Sequence, residues 1–192
     1  MSQTLENRKN SRIKALVAES GAGDKNAYEA LYHEYFPKIS RFVGYRINDK
    51  ETAEDLTAEI FLKIWENLQT PTQIDSFNSW IFTVARNKII DYYRTKKVTS
   101  NLFELENQLE YEDNIINAID LDIASRKCLR HLDKLSADQQ EIIRLKFFED
   151  LENDEIGAIT DKSPGTIRVI QHRAIIALKK YLKEEDSPAN VQ

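Results

Sequence analysis

The sequence predicts an all-α chain of two small helical domains joined by an acidic linker. Three observations predict it. Gly and Pro number only 5 and 4 in 192 residues, while Leu, Ile, Glu and Lys are plentiful, so helix breakers are rare and helix formers common. Apolar residues recur at helical spacing in both halves of the chain. Between those halves, residues 98–124 hold seven acids and no Lys or Arg, a shift in composition that reads as a partly helical linker. With 41% hydrophobic residues, the chain has material for one ordinary domain or two small cores.

Residues 1–23 open with "MSQTLENRKN", which is polar and lacks the apolar stretch of a secretory signal; they are expected to form a partly disordered extension. The first domain spans residues 24–97. Its first helix covers residues 24–45, with Ala27, Leu31, Tyr35, Ile39 and Phe42 at helical spacing and Pro37 expected to kink or split it. A second helix covers residues 51–68, with Leu56, Ile60, Ile64 and Leu68 on one stripe and Asp49 as N-cap. "QTPTQID" is a turn, and a third helix follows over residues 76–97. The second domain spans residues 125–183. Ser136 and Gln139 form a capping box ahead of the apolar residues Ile142, Ile143, Leu145 and Phe147. "LENDEIGAIT" is a short helix and "DKSP" a turn, with Ser163 capping a last helix that has Pro164 at its first position. Residues 184–192 are expected to be a disordered tail.

Several function classes are excluded. No apolar run approaches the roughly 20 residues a membrane span needs, so no membrane insertion is expected. Cys128 is the only cysteine, so no internal disulfide forms, which suits a reducing cytoplasm. A single cysteine on a helix reads as core packing before it reads as a redox sensor. His33, His131 and His172 are far apart, and no HExxH, CxxC, P-loop or GxGxxG pattern occurs. No catalytic residue, metal site or cofactor is expected, and the chain is not read as an enzyme.

The charge is distributed unevenly. The chain has 27 basic and 32 acidic residues, a net charge of -5, yet residues 163–183 carry Arg168, Arg173, Lys179, Lys180 and Lys183 and no acid. On a helical wheel Ile167, Ile170, Ala174, Ala177, Leu178, Tyr181 and Leu182 face one way. Arg168, Val169, His172, Arg173, Ile176, Lys179 and Lys180 face the other, with Gln171 a polar intrusion on the apolar side. A short helix, a tight turn and a longer basic helix make a helix-turn-helix, whose second helix enters the DNA major groove. A solvated amphipathic helix fits the same pattern. In the third helix, Arg86, Ile90, Tyr93, Arg94 and Lys97 share a face opposite Phe77, Ile81, Val84 and Tyr92. Basic residues interleaved with aromatics suit single-stranded nucleic acid, although Trp80 reads as core, and Lys88 falls on the apolar side. Asp55, Glu59, Leu62, Lys63 and Glu66 make an exposed mixed strip on the second helix, either plain solvent face or protein-docking face.

"AEDLTAEIFLKIWENL" followed by "FNSWIFTVARNKIIDYYRTKK" resembles region 2 of bacterial RNA polymerase sigma factors of the extracytoplasmic-function (ECF) type. "LDKLSADQQEIIRLKFFEDLENDEIGAITDKSPGTIRVIQHRAIIALKKYL" resembles their region 4. The resemblance covers about residues 24–97 and 126–183, both motifs in order. It implies a sigma region 2 helical bundle and a region 4 helix-turn-helix that together bind core RNA polymerase and promoter DNA. Asp55, Glu59, Leu62, Lys63 and Glu66 then become the polymerase-docking strip. The loop over residues 69–78, with Asp75, Phe77 and Asn78, becomes the pocket for a flipped base of the downstream (minus-ten) element. Arg86, Asn87, Tyr93, Arg94 and Lys97 become contacts to the opened strand. Ser163, Gly165, Thr166, Arg168, Val169, His172, Arg173 and Lys179 become contacts to the upstream (minus-thirty-five) element, and the acidic linker threads the polymerase channels. An anti-sigma factor, able to hold the protein at the membrane, is a further implied partner, and the free protein is expected to be a cytoplasmic monomer. Departures stand out: Asp161 occupies a turn position where many relatives have Gly, Lys162 stands where many have an apolar residue, and Ile170 and Ile175 stand where many have basic residues.

Three functions compete at this point. The first is an ECF sigma factor. A stand-alone helix-turn-helix regulator would use only the second domain and leave the first without a role. A sigma-mimicking adaptor normally carries an added receiver domain, for which 192 residues leave no room.

Overall fold

In the computed structural model, the described residues are 2–70, 73–99 and 131–185, with the backbone alone at 2–7, 97–99 and 185. The chain divides into two compact units, Met1–Glu112 and Asp113–Gln192. Most of the expected linker, Cys128 and the tail from residue 186 lie outside the described residues.

Among the described residues, the first unit holds four helices: α1 (Ser2–Gly21), α2 (Lys25–Gly44), α3 (Lys50–Leu68) and α4 (Phe77–Thr99). The N-terminal extension, expected to be partly disordered, is helical from Ser2 to Gly21. Ile13 and Ser20 are buried, Leu16 and Val17 half-buried, and α1 packs chiefly on α2. Positions 13, 16, 17 and 20 share one helical face, so the stripe is present but only about two turns long. Gln69 Nε2 donates to the carbonyl of Ser20 at 2.8 Å, tying the end of α1 to the end of α3.

Asp24 caps α2 through the amide of Asn26 at 2.8 Å, and Asp49, the expected N-cap, holds α3 through the amide of Thr52 at 2.7 Å. Pro37 does not split α2, which runs through it. The carbonyl it leaves without a helical donor is that of His33, an exposed residue open to water, so the missing bond costs less than in a core. The core joins Leu31, Tyr35, Ile39 and Phe42 of α2 to Ile60 and Ile64 of α3 and Ile81, Phe82, Ala85 and Ile89 of α4. Phe42 meets Phe82 edge-on at 5.2 Å.

The described part of the second unit has a 3-10 turn (Leu132–Lys134), then α5 (Ala137–Phe147), α6 (Asn153–Thr160) and α7 (Pro164–Glu185). The capping box at α5 is complete in both directions, Ser136 N to Gln139 Oε1 at 3.1 Å and Gln139 N to Ser136 Oγ at 3.4 Å. Leu132, Leu135, Ile143, Ala174 and Leu178 form a buried cluster, with Phe148, Ile175, Ala177 and Tyr181 packed against it. Phe147, one of the apolar residues after the capping box, is 61% exposed at the last position of α5. No strand occurs among the described residues.

Candidate nucleic-acid interface

α6, the turn after it and α7 make the helix-turn-helix. Asp161 turns the chain with φ 56° and ψ 46°, the left-handed conformation that Asp adopts more readily than most residues. The amide of Lys162 then donates to the carbonyl of Gly157 at 3.0 Å. A Cβ on Gly157 would lie 2.6 Å from the Lys162 carbonyl oxygen, so glycine lets the turn fold back onto α6. Lys162 also pairs with Asp138 of α5 at 3.4 Å. Ser163 Oγ accepts from the amide of Thr166 at 3.1 Å and closes the first turn of α7.

α7 is set with its apolar side inward. Ile167, Ala174 and Leu178 are buried, while Arg168, Val169, His172, Arg173, Ile176, Lys179 and Lys180 are all exposed. The expected division of the helix therefore holds at every one of these positions. Gln171, the polar intrusion, donates to Asn153 Oδ1 at 2.9 Å and pins α7 to the start of α6. Ile170 and Ile175 are half-buried, and Ile175 packs on the core. Their apolar character is thus accounted for inside the fold.

In the first unit, α4 presents Arg86 half-buried and Asn87, Ile90, Tyr93 and Arg94 exposed. The Tyr93 hydroxyl donates to the carbonyl of Arg46, and its ring stands edge-on to Tyr92 at 5.3 Å. Burial raises the Tyr93 pKa, with neighbouring Tyr92 adding to it, so the phenol stays neutral. The Lys97 side chain lies outside the described residues. Asp75 is exposed, with Gln73 Nε2 at 3.5 Å from its Oδ1. Phe77 is a correction: it is 6% exposed and meets Tyr35 edge-on at 5.0 Å, so it is a core residue with no face left for a base. Asn78 is half-buried, and its Oδ1 accepts the Tyr35 hydroxyl, which fixes the beginning of α4. The inner side of α4 is rotated from the expected one towards Phe82, Ala85 and Ile89. Lys88 consequently sits at the edge and pairs with Glu59 of α3 at 2.7 Å.

Asp55, Glu59, Leu62, Lys63 and Glu66 are all exposed on α3, Leu62 by 59%. Lys63 pairs with Glu66 at 3.3 Å. Beyond this strip, Phe36 of α2 is 38% exposed within an aromatic group, 5.0 Å from the Tyr32 ring and 5.9 Å from Phe61 of α3. Sequence reasoning missed Phe36. The signal was present in "YHEYF", where Tyr32 and Phe36 share a face that the Leu31 and Tyr35 stripe does not include.

Likeness to known proteins follows the same two units. The family model described as Sigma-70 region 2 matches residues 31–99, and that described as Sigma-70, region 4, matches residues 131–180. The ECF RNA polymerase sigma factor BldN of Streptomyces coelicolor is 30% identical over 181 residues, 91% of this chain and 67% of that protein. RNA polymerase sigma factor YlaC of Bacillus subtilis is 27% identical over 163 residues, 82% of this chain and 93% of that one. Among solved structures, CnrH in complex with the cytosolic domain of CnrY aligns with a TM-score of 0.67 at 20% identity, covering 92% of this chain and 99% of that one. The sigma factor RpoE, solved with the anti-sigma factor NepR from Bartonella quintana, aligns with a TM-score of 0.60 at 22% identity, covering 81% and 96%. At these identities the two structures establish a shared fold.

Proposed function

The chain belongs to the ECF RNA polymerase sigma factors, and from that premise we propose that it binds core RNA polymerase, directs it to particular promoters and helps open the DNA there. The observation that carries the proposal is the exposed cationic face of α7, free of acids from residue 164 to 183 in a chain of net charge -5. Arg168, His172 and Arg173, near the leading end of α7, are placed to meet base edges and phosphates in a major groove, and Lys179 to meet phosphate. A stand-alone regulator would need only this unit. The exposed Leu62 strip and the basic face of α4 have no part in that reading and do in this one.

Each unit then has a task. The α3 strip, widened by Phe36, docks on the polymerase through an apolar centre with a charged rim. Asp75 and Asn78 border the pocket for a flipped base, and Arg86, Asn87, Tyr93, Arg94 and Lys97 hold the opened strand. Flipping costs a few kcal/mol of unstacking, which pocket and strand contacts offset. Ser163, Gly165, Thr166, Arg168, Val169, His172, Arg173 and Lys179 meet the upstream element. The protein acts in the cytoplasm, where polymerase and promoters are, and an anti-sigma factor, able to tether it to the membrane, covers both units when it is off. Retention of one neighbouring gene product in competition with core polymerase is the expected pull-down result, and recovery of none refutes that partner.

Leu62→Asp tests the docking strip. An exposed position tolerates the charge, so the thermal melt stays within a degree or two of wild type, while core-polymerase affinity falls at least about tenfold, as for an interface hot spot. Undiminished core binding by the variant would remove α3 from the interface.

A further inference from the structure

The reading helix contains a glycine that the fold does not require. Gly165 lies in the first turn of α7 outside the positive-φ region, so no conformational reason selects glycine there. A Cβ added to it would meet only Ser163 Oγ, at an ordinary 3.8 Å. The contrast with Gly157, where a Cβ would strike backbone at 2.6 Å, is direct. Glycine also weakens a helix relative to alanine. The fold thus loses something at position 165 and gains no packing from it.

Val169 stands four residues on, which is one turn of the same face. Helical side chains lean towards the N-terminal turn, so Val169 leans over the space that a side chain at 165 would fill. It is 50% exposed, an aliphatic side chain on the outward face of its helix. Arg168, His172 and Arg173 surround it, all exposed. Among the described residues neither arginine forms a salt bridge, and no acid stands on α7 before Glu184.

We propose that Gly165 and Val169 form a notch on the leading turn of α7 that receives the 5-methyl group of a thymine in the upstream promoter element. The inference rests on the sigma-factor reading and adds the chemistry read at this spot. The surrounding cations select a polyanion over an apolar protein partner. Within a major groove, the one apolar group on the base edges is the thymine methyl. A missing side chain at 165 lets the helix come close enough for Val169 to cover that methyl.

The test separates the notch from the function it serves. Reconstituted holoenzyme transcribes from a promoter it recognises, with each thymine of the upstream element replaced in turn by deoxyuridine, which removes only the methyl. The expected result is one position, on either strand, where wild-type holoenzyme loses about fourfold in initiation, the size of one buried methyl group. Val169→Ala lowers initiation on the thymine template and no longer distinguishes deoxyuridine there. Gly165→Ala lowers use of the upstream element while the protein melts at the same or a higher temperature, so loss of folding does not explain it. No methyl effect at any thymine in wild type overturns the notch, as does an undiminished effect in Val169→Ala or wild-type initiation by Gly165→Ala. Promoter-specific starts with no methyl effect overturn the notch alone. A wild-type holoenzyme without promoter-specific starts overturns the sigma-factor reading, and this inference with it.

Discussion

Gly157 and Tyr28 each carry a consequence that single substitutions expose. Replacing Gly157 with Ala places a Cβ 2.6 Å from the Lys162 carbonyl, and backbone cannot swing aside as a long side chain would. The second unit should lose about 1–3 kcal/mol, the usual size of overpacking, read as an earlier urea transition by circular dichroism. Tyr28 donates its hydroxyl to the carbonyl of Phe61 and packs edge-on to Trp65 at 4.8 Å. Burial, with neighbouring Tyr32 adding to it, pushes its pKa from 10.0 up to about 12. Above pH 10 the unfolded chain gives up this proton while the folded chain keeps it, so alkali favours unfolding. Stability of the first unit should therefore be intact below pH 10 and fall as pH rises towards 12, and Tyr28→Phe should flatten that fall. Trp65 and Trp80, the two tryptophans of the chain, both lie in the first unit, so fluorescence reports on it selectively. Single positions were the least legible part of the sequence. Lys88 and Gln171 looked misplaced on their wheels until Glu59 and Asn153 supplied partners from other helices. Phe77 looked like a base contact because position alone does not reveal the Tyr35 ring beside it.

At the scale of the helix, legibility followed the length and regularity of the apolar stripe. α2 and α3 have stripes of four to five residues and clear Asp caps, and both begin within a residue or two of expectation. The capping box of α5 and the start of α7 at Pro164 were legible for the same reason. α1 was not, because its early residues are polar and its stripe occupies only the C-terminal half. Its helicity depends on burial against α2, a tertiary gain that local propensity does not contain. Ile13, 7% exposed, is the residue most committed to that contact. Ile13→Ala should cost the first unit about 2–4 kcal/mol, as for other buried Ile truncations, read by tryptophan fluorescence in urea. A loss under about 0.5 kcal/mol, the surface range, would mean that α1 contributes nothing to the bundle. The inner face of α4 was misjudged by a rotation, since Ile81 was seen while Phe82, Ala85 and Ile89 were not. A helix with apolar residues on most sides, such as "FNSWIFTVARNKII", leaves that choice to its neighbours.

For the whole molecule, function follows from where charge is placed rather than how much there is. The net charge is -5, and the cationic faces on α7 and α4 are local. Free protein should therefore bind duplex promoter DNA weakly, with little preference for sequence, until core polymerase adds its own contacts. Tight, sequence-selective binding of the free protein at physiological salt, measured by fluorescence anisotropy, would favour the stand-alone regulator. The most direct measurement is transcription in vitro. Purified protein is added to sigma-free core RNA polymerase on fragments of its own genome, and the transcripts are sequenced. The account predicts discrete new start points that share two upstream sequence elements and vanish when Arg168 and Arg173 are both changed to Gln. No new starts, with no binding to core polymerase, would contradict it.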